Sequence, residues 1–90
     1  MLDVTRYHGT HAGHEIELVF DQRLAIVNRA RLEVDGQPVD DTRVVYGTKE
    51  LSASLPDGTD VVVRLHSGMV GEIDRPQLQT ADGWTDLVQQ

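Results

Sequence analysis

The chain has no cysteine, which removes disulfides, thiolate metal ligands and thiol nucleophiles together. Small secreted domains usually depend on such staples, so the expected compartment is the cytoplasm. Aromatic residues are scarce: one tryptophan, two tyrosines and one phenylalanine in 90 residues. No segment approaches the ~18 consecutive apolar residues of a membrane-spanning helix. The opening "MLDVTRYHGT" lacks the basic stretch, apolar stretch and small-residue cleavage site of a leader. The expectation is an unprocessed chain without membrane contact.

Positive charge is also in short supply. Eight Lys and Arg stand against 15 Asp and Glu, a net charge of −7 spread along the chain. Such a surface repels phosphate backbones and anionic lipid, so nucleic acid is excluded as a partner and another protein is favoured. Catalytic signatures are missing as well. There is no G-x-S-x-G, no phosphate-cradling glycine loop and no H-E-x-x-H; the "GHE" at Gly13 to Glu15 lacks the second histidine. The carboxylate pairs Asp57/Asp60 and Glu72/Asp74 lie at turns, where such groups meet solvent. The expectation is a protein that is not an enzyme and needs no cofactor.

Turn signals are plentiful. Asp-Gly stands at Asp35-Gly36, Asp57-Gly58 and Asp82-Gly83, and this dipeptide suits the type I′ hairpin because both central residues take positive φ. The first two tips share DG-x-x-V, ending at Val39 and Val61. Between tips the pattern alternates. "EIELVF" places Ile16, Leu18 and Phe20 on one face and Glu15 and Glu17 on the other, and "ARLEV", "ELSASLP" and "DVVVRLH" repeat the period of two. A bulge or turn is expected near Asn28, and a short strand at Val44 to Tyr46, closed by Gly47, within the long connection "DDTRVVYGTKE". The one place suited to a helical turn is Arg75 to Leu78, with Pro76 at its first position.

Sheets with one wet and one dry face must cover each other. The predicted fold is therefore all-β: one domain over residues 1–90, a compact antiparallel β-sandwich or partly closed barrel of about seven short strands joined by Asp-Gly hairpins. Its predicted core is Ile16, Leu18, Phe20, Ile26, Leu32, Val34, Val45, Leu51, Leu55, Val61, Val63, Leu65, Ile73 and Leu87.

Three stretches are candidates for function. "HGTHAGH" holds three of the four histidines, His8, His11 and His14. Their spacing suits neither the i, i+4 pair of a helix nor the i, i+2 pair of a strand, and Gly9 and Gly13 disfavour a helix. The segment reads as a glycine-loosened loop after a short strand around Val4 to Tyr7. Its imidazoles are weak metal candidates, with Glu15 or Asp3 as a carboxylate, or a proton-sensitive surface. "HSGMVGEI" brackets Met69 and Val70 between Gly68 and Gly71, either as an interaction tip or as a bulged hairpin capping the core. Trp84 follows the third Asp-Gly, as an interface anchor or as a cover for the open end of the sandwich.

The order "LEVDGQPVD", "LPDGTDVVVRLHSGMVGEI", "DGWTDL" resembles small all-β proteins of bacteria. "HEIELVF" followed by "ARLEVDGQPV" is similar to the early hairpins of the Fas apoptotic inhibitory molecule family, although the aromatic residues of that family's later strands are missing. The resemblance implies a compact β-sandwich that binds other proteins and has no active site. The expected function is protein contact as an adaptor or inhibitor, through Gly68, Met69, Val70 and Trp84, by a monomer or an edge-strand homodimer. The rival expectation is a metal- or pH-responsive protein using residues 8–14.

Overall fold

The computed structural model describes residues 4–21, 28–44, 47–68, 73–80 and 83–89, with only the backbone at 73–75. Among these residues the alternating segments form nine strands: β1 (Val4–His11), β2 (His14–Asp21), β3 (Asn28–Val34), β4 (Gln37–Val44), β5 (Gly47–Ser54), β6 (Asp60–Ser67), β7 (Ile73–Thr80), β8 (Gly83–Asp86) and β9 (Val88–Gln89). They build a first sheet in the order β4-β3-β2-β1-β9 and a second in the order β5-β6-β7-β8. Every pairing is antiparallel. The protein is an all-β sandwich and no closed barrel is seen: among the described residues no strand pairing joins the two sheets.

The dry faces meet as the alternation requires. Ile16, Leu18, Phe20, Ala30, Leu32, Val34 and Val44 from the first sheet pack with Leu51, Val61, Val63, Leu65 and Leu78 from the second. Leu55 and Leu87 complete this cluster. Of the predicted core, Ile26, Val45 and the side chain of Ile73 lie outside the described residues. Val44 and Leu78 are core residues that the sequence pattern did not single out.

Several local expectations are corrected. The stretch His8 to His14 is not a loop: β1 runs through His11, and Ala12 (φ 52°) and Gly13 (φ 82°) make a two-residue turn back into β2. Asp35 (φ 50°) and Gly36 (φ 83°) form the expected type I′ tip. Asp57-Gly58 does not, since only Gly58 has positive φ. There the Gly58 N–H donates to the Leu55 carbonyl at 2.9 Å and the Leu55 N–H to the Thr59 carbonyl at 2.8 Å, a three-residue connection ended by a left-handed glycine. Gly83 pairs with Thr80 inside β8, and Asp82, the other half of the third expected tip, lies outside the described residues.

The predicted helical turn at Arg75 to Leu78 is part of β7 instead. The β6–β7 register shifts between Arg64 and His66, which sets Pro76 at a bulge, the one interior place where a strand accepts a residue without an N–H. Of the expected strand at Val44 to Tyr46, Val44 is the last residue of β4, Val45 and Tyr46 lie outside the described residues, and β5 begins at Gly47. Opposite β3, Leu32 pairs with Asp40 and Glu33 with Pro38, so Val39 is an extra residue on β4 and stands 43% exposed. Its counterpart in the DG-x-x-V pattern, Val61, is fully buried.

Candidate functional site

The β1–β2 turn sets His11 opposite His14, while His8 stands opposite Glu17. His8 is three residues from His11 and therefore on the other face of the strand. Strand geometry sets His11 beside His14 and turns His8 away from both, and among the described residues no three His, Asp or Glu side chains gather as a metal site. His14 has a different partner. Its Nδ1 lies 2.6 Å from Asp35 Oδ2, and Asp35 Oδ1 accepts the Glu15 N–H at 2.8 Å. The turn carrying Asp35 is thus tied to the start of β2.

This contact raises the His14 pKa above its ordinary 6.5, chiefly through the hydrogen bond to Asp35 and then through the charges of Asp35 and Asp57. The same bond, with help from the Glu15 N–H, lowers Asp35 below 3.8. The arrangement answers to protons.

Trp84 does not cover the open end of the sandwich. It pairs with Gln79 on the outer face of the second sheet, and the Arg64 guanidinium sits 3.9 Å from its ring centroid. Arg64 Nε also donates to Glu50 Oε2 at 3.2 Å, so acid, guanidinium and indole line up across that face. Gln77 Nε2 donates to Asp86 Oδ1 beside them at 2.9 Å. Gly68 follows the last residue of β6, whereas Trp84 lies one step beyond the Val63–Leu78 pair. At ~3.3 Å per residue the two are separated by roughly 20 Å. Met69 and Val70 lie outside the described residues.

The outer face of the first sheet holds residues that sequence reasoning passed over as a solvated surface. Arg6, Val19, Arg31 and Asp41 form one cross-strand row, and Val4, Asp21, Arg29 and Arg43 the next. Val19 faces outward yet is only 3% exposed. It forms part of the wall of a hollow of about 280 Å³ lined also by Val4, Arg6, Asp21, Arg29, Arg31 and Asp41. Arg6 lies 2.9 Å from Glu17, which raises its pKa, and Arg31 Nε donates to Glu33 at 2.8 Å. Four of the chain's seven arginines stand on this face. Only the cross-strand register reveals it.

These faces belong to an all-β, two-sheet antiparallel sandwich, the class the chain falls in. Compared with family models, curated proteins and solved structures, the chain matches none. Among the described residues no helix is long and apolar enough to cross a membrane.

Proposed function

We propose that this sandwich is a non-enzymatic binding module that acts in the cytoplasm by contact with another protein, as an adaptor or an inhibitor, through the outer face of its second sheet. One observation carries the reading: the chain's single tryptophan is placed on a solvent-side sheet face and stacked under an arginine. Tryptophan and arginine supply a disproportionate share of contact energy in protein interfaces. Glu50, Gln77, Gln79 and Asp86 surround them as a polar rim.

The test is affinity capture from the native cell with wild type, Trp84→Ala and, as a folding control, Leu32→Ala. The reading expects a partner held by wild type and lost with Trp84→Ala while the thermal transition of that variant persists. Identical capture by wild type and a folded Trp84→Ala sinks it.

The His14–Asp35 contact supports a second reading, a proton-responsive surface at the turn end of the sandwich. It is separable from the first because Trp84 plays no part in it.

A further inference from the structure

The bulge at Val39 decides what faces what on the outer side of the first sheet. At the Asp35-Gly36 tip, Val34 pairs with Gln37 and Glu33 with Pro38, a register that extended unbroken would set Arg29 against Thr42. The extra residue moves the pairing by one, so Arg29 stands directly opposite Arg43. Like charges at directly opposed positions destabilise a sheet; here Asp21 stands opposite Arg29 on the other side, and Arg43 lies on the edge strand. Arg29 approaches Asp41 only at 3.6 Å, and Arg43 has no ion pair among the described residues. Beside them Arg6 and Arg31 are drawn toward Glu17 and Glu33, and the hollow partly walled by Val19 adjoins. These two rows carry four arginines against Asp21 and Asp41. Glu17 and Glu33 in the adjoining row offset Arg6 and Arg31, which leaves Arg43 as the guanidinium without an ion pair among the described residues, in a chain of net charge −7.

We propose that this end of the first sheet's outer face binds an acidic peptide segment, with a carboxylate held between Arg29 and Arg43 and the peptide lying over the hollow at Val19. Guanidinium forks bind carboxylates through paired N–H donors, which suits two arginines that face each other. Four strands at ~4.8 Å spacing make the patch roughly 14 Å wide, room for about four extended residues and far more than one small anion needs. Asp41 accepts N–H groups, which a peptide offers and a polyphosphate lacks. A dense polyanion also meets the acidic remainder of the chain. The site is on the sheet opposite Trp84 and independent of the contact proposed there.

The experiment is isothermal titration at two salt concentrations with a blocked peptide of four glutamates and one alanine, the matching glutamine peptide and inorganic triphosphate. NMR shift mapping on the wild type locates the contact. The expected result is saturable, salt-sensitive binding of the glutamate peptide alone, with shifts on β3 and β4. Affinity should fall at least ~10-fold in Arg43→Glu and in Arg29→Ala and stay unchanged in Lys49→Glu, an exposed cation on β5. Because Arg43 is exposed on an edge strand, a preserved thermal transition separates lost binding from lost folding. Equal binding of the glutamine peptide, undiminished binding by a folded Arg43→Glu, or shifts confined to other surfaces overturns the proposal. Triphosphate binding without peptide binding replaces it with a phosphate site, and no saturable binding of any probe ends it.

Discussion

Leu87 fills the notch left by Gly9: a β-carbon at that glycine would lie 2.8 Å from Leu87 Cδ2. Gly9 sits in β1, and Leu87 is the residue at which the chain leaves the second sheet for the first, where Val88 pairs with His8. The missing side chain makes room for the crossing.

Gly9→Val should therefore destabilise the protein by about 1–3 kcal/mol through overpacking. Leu87→Ala, which removes a buried side chain, should cost about 2–3 kcal/mol. The double variant should lose less than the sum, by at least ~0.5 kcal/mol in denaturant titration. Strict additivity would mean that the two residues do not share this space.

Ala12 holds φ 52° in the β1–β2 turn, a conformation that costs a residue with a β-carbon roughly 1–2 kcal/mol. Asparagine tolerates it and precedes glycine in the favoured type I′ tip. Ala12→Asn should raise stability by about 1 kcal/mol, which at this chain length lifts the thermal midpoint by roughly 4–8 °C. An unchanged or lower midpoint would show that the turn carries no such strain.

The His14–Asp35 contact predicts a pH window. The folded-state pKa of His14 is raised, so its contribution is complete below 6.5 and fades as pH rises through the raised value. Asp35 is lowered, so its contribution is complete above 3.8 and fades as pH falls through the lowered value. Together they are strongest between those ordinary values. Asp35→Asn should return the NMR-detected titration of His14 toward 6.5 and flatten the stability profile above that pH. A His14 titration unmoved by the substitution would exclude the contact in solution.

Arg64 and Trp84 give an optical readout, since the chain has a single indole. Arg64→Ala should move the emission maximum to longer wavelength and cost about 0.5–1 kcal/mol, the value of an exposed cation–π pair. Arg64→Lys should retain part of both. An identical spectrum in Arg64→Ala would place the guanidinium elsewhere.

The sandwich was legible wherever one face is wet and the other dry: Ile16, Leu18 and Phe20, or Val61, Val63 and Leu65, could be assigned from period alone. The β1–β2 hairpin was not, because its tip is Ala12-Gly13 and carries none of the usual Asn or Asp. The second half of β4, from Asp40, looks like a connection in sequence because it belongs to an edge strand, and such strands carry polar residues on both faces. Pro76 suggested a helix start because a bulge depends on the neighbouring strand and leaves no local mark. Trp84 was visible from its scarcity, yet its partner Arg64 lies two strands away. The Arg29–Arg43 pair was hidden most deeply, since a hairpin counted back from Asp35-Gly36 without the bulge opposes Arg29 to Thr42.

Within each sheet, every neighbouring pair except β1 and β9 is joined by the next stretch of chain. The fold is two meanders placed one after the other, so most pairing closes short loops, which costs little entropy and favours rapid assembly. On a ribosome the four strands from β1 to β4 are in hand before β5 emerges, yet their apolar face has nothing to cover it. The first half of the chain therefore waits, paired but greasy, for the second, and the joining of β9 to β1 across 80-odd residues of sequence comes after the other eight strands have been made.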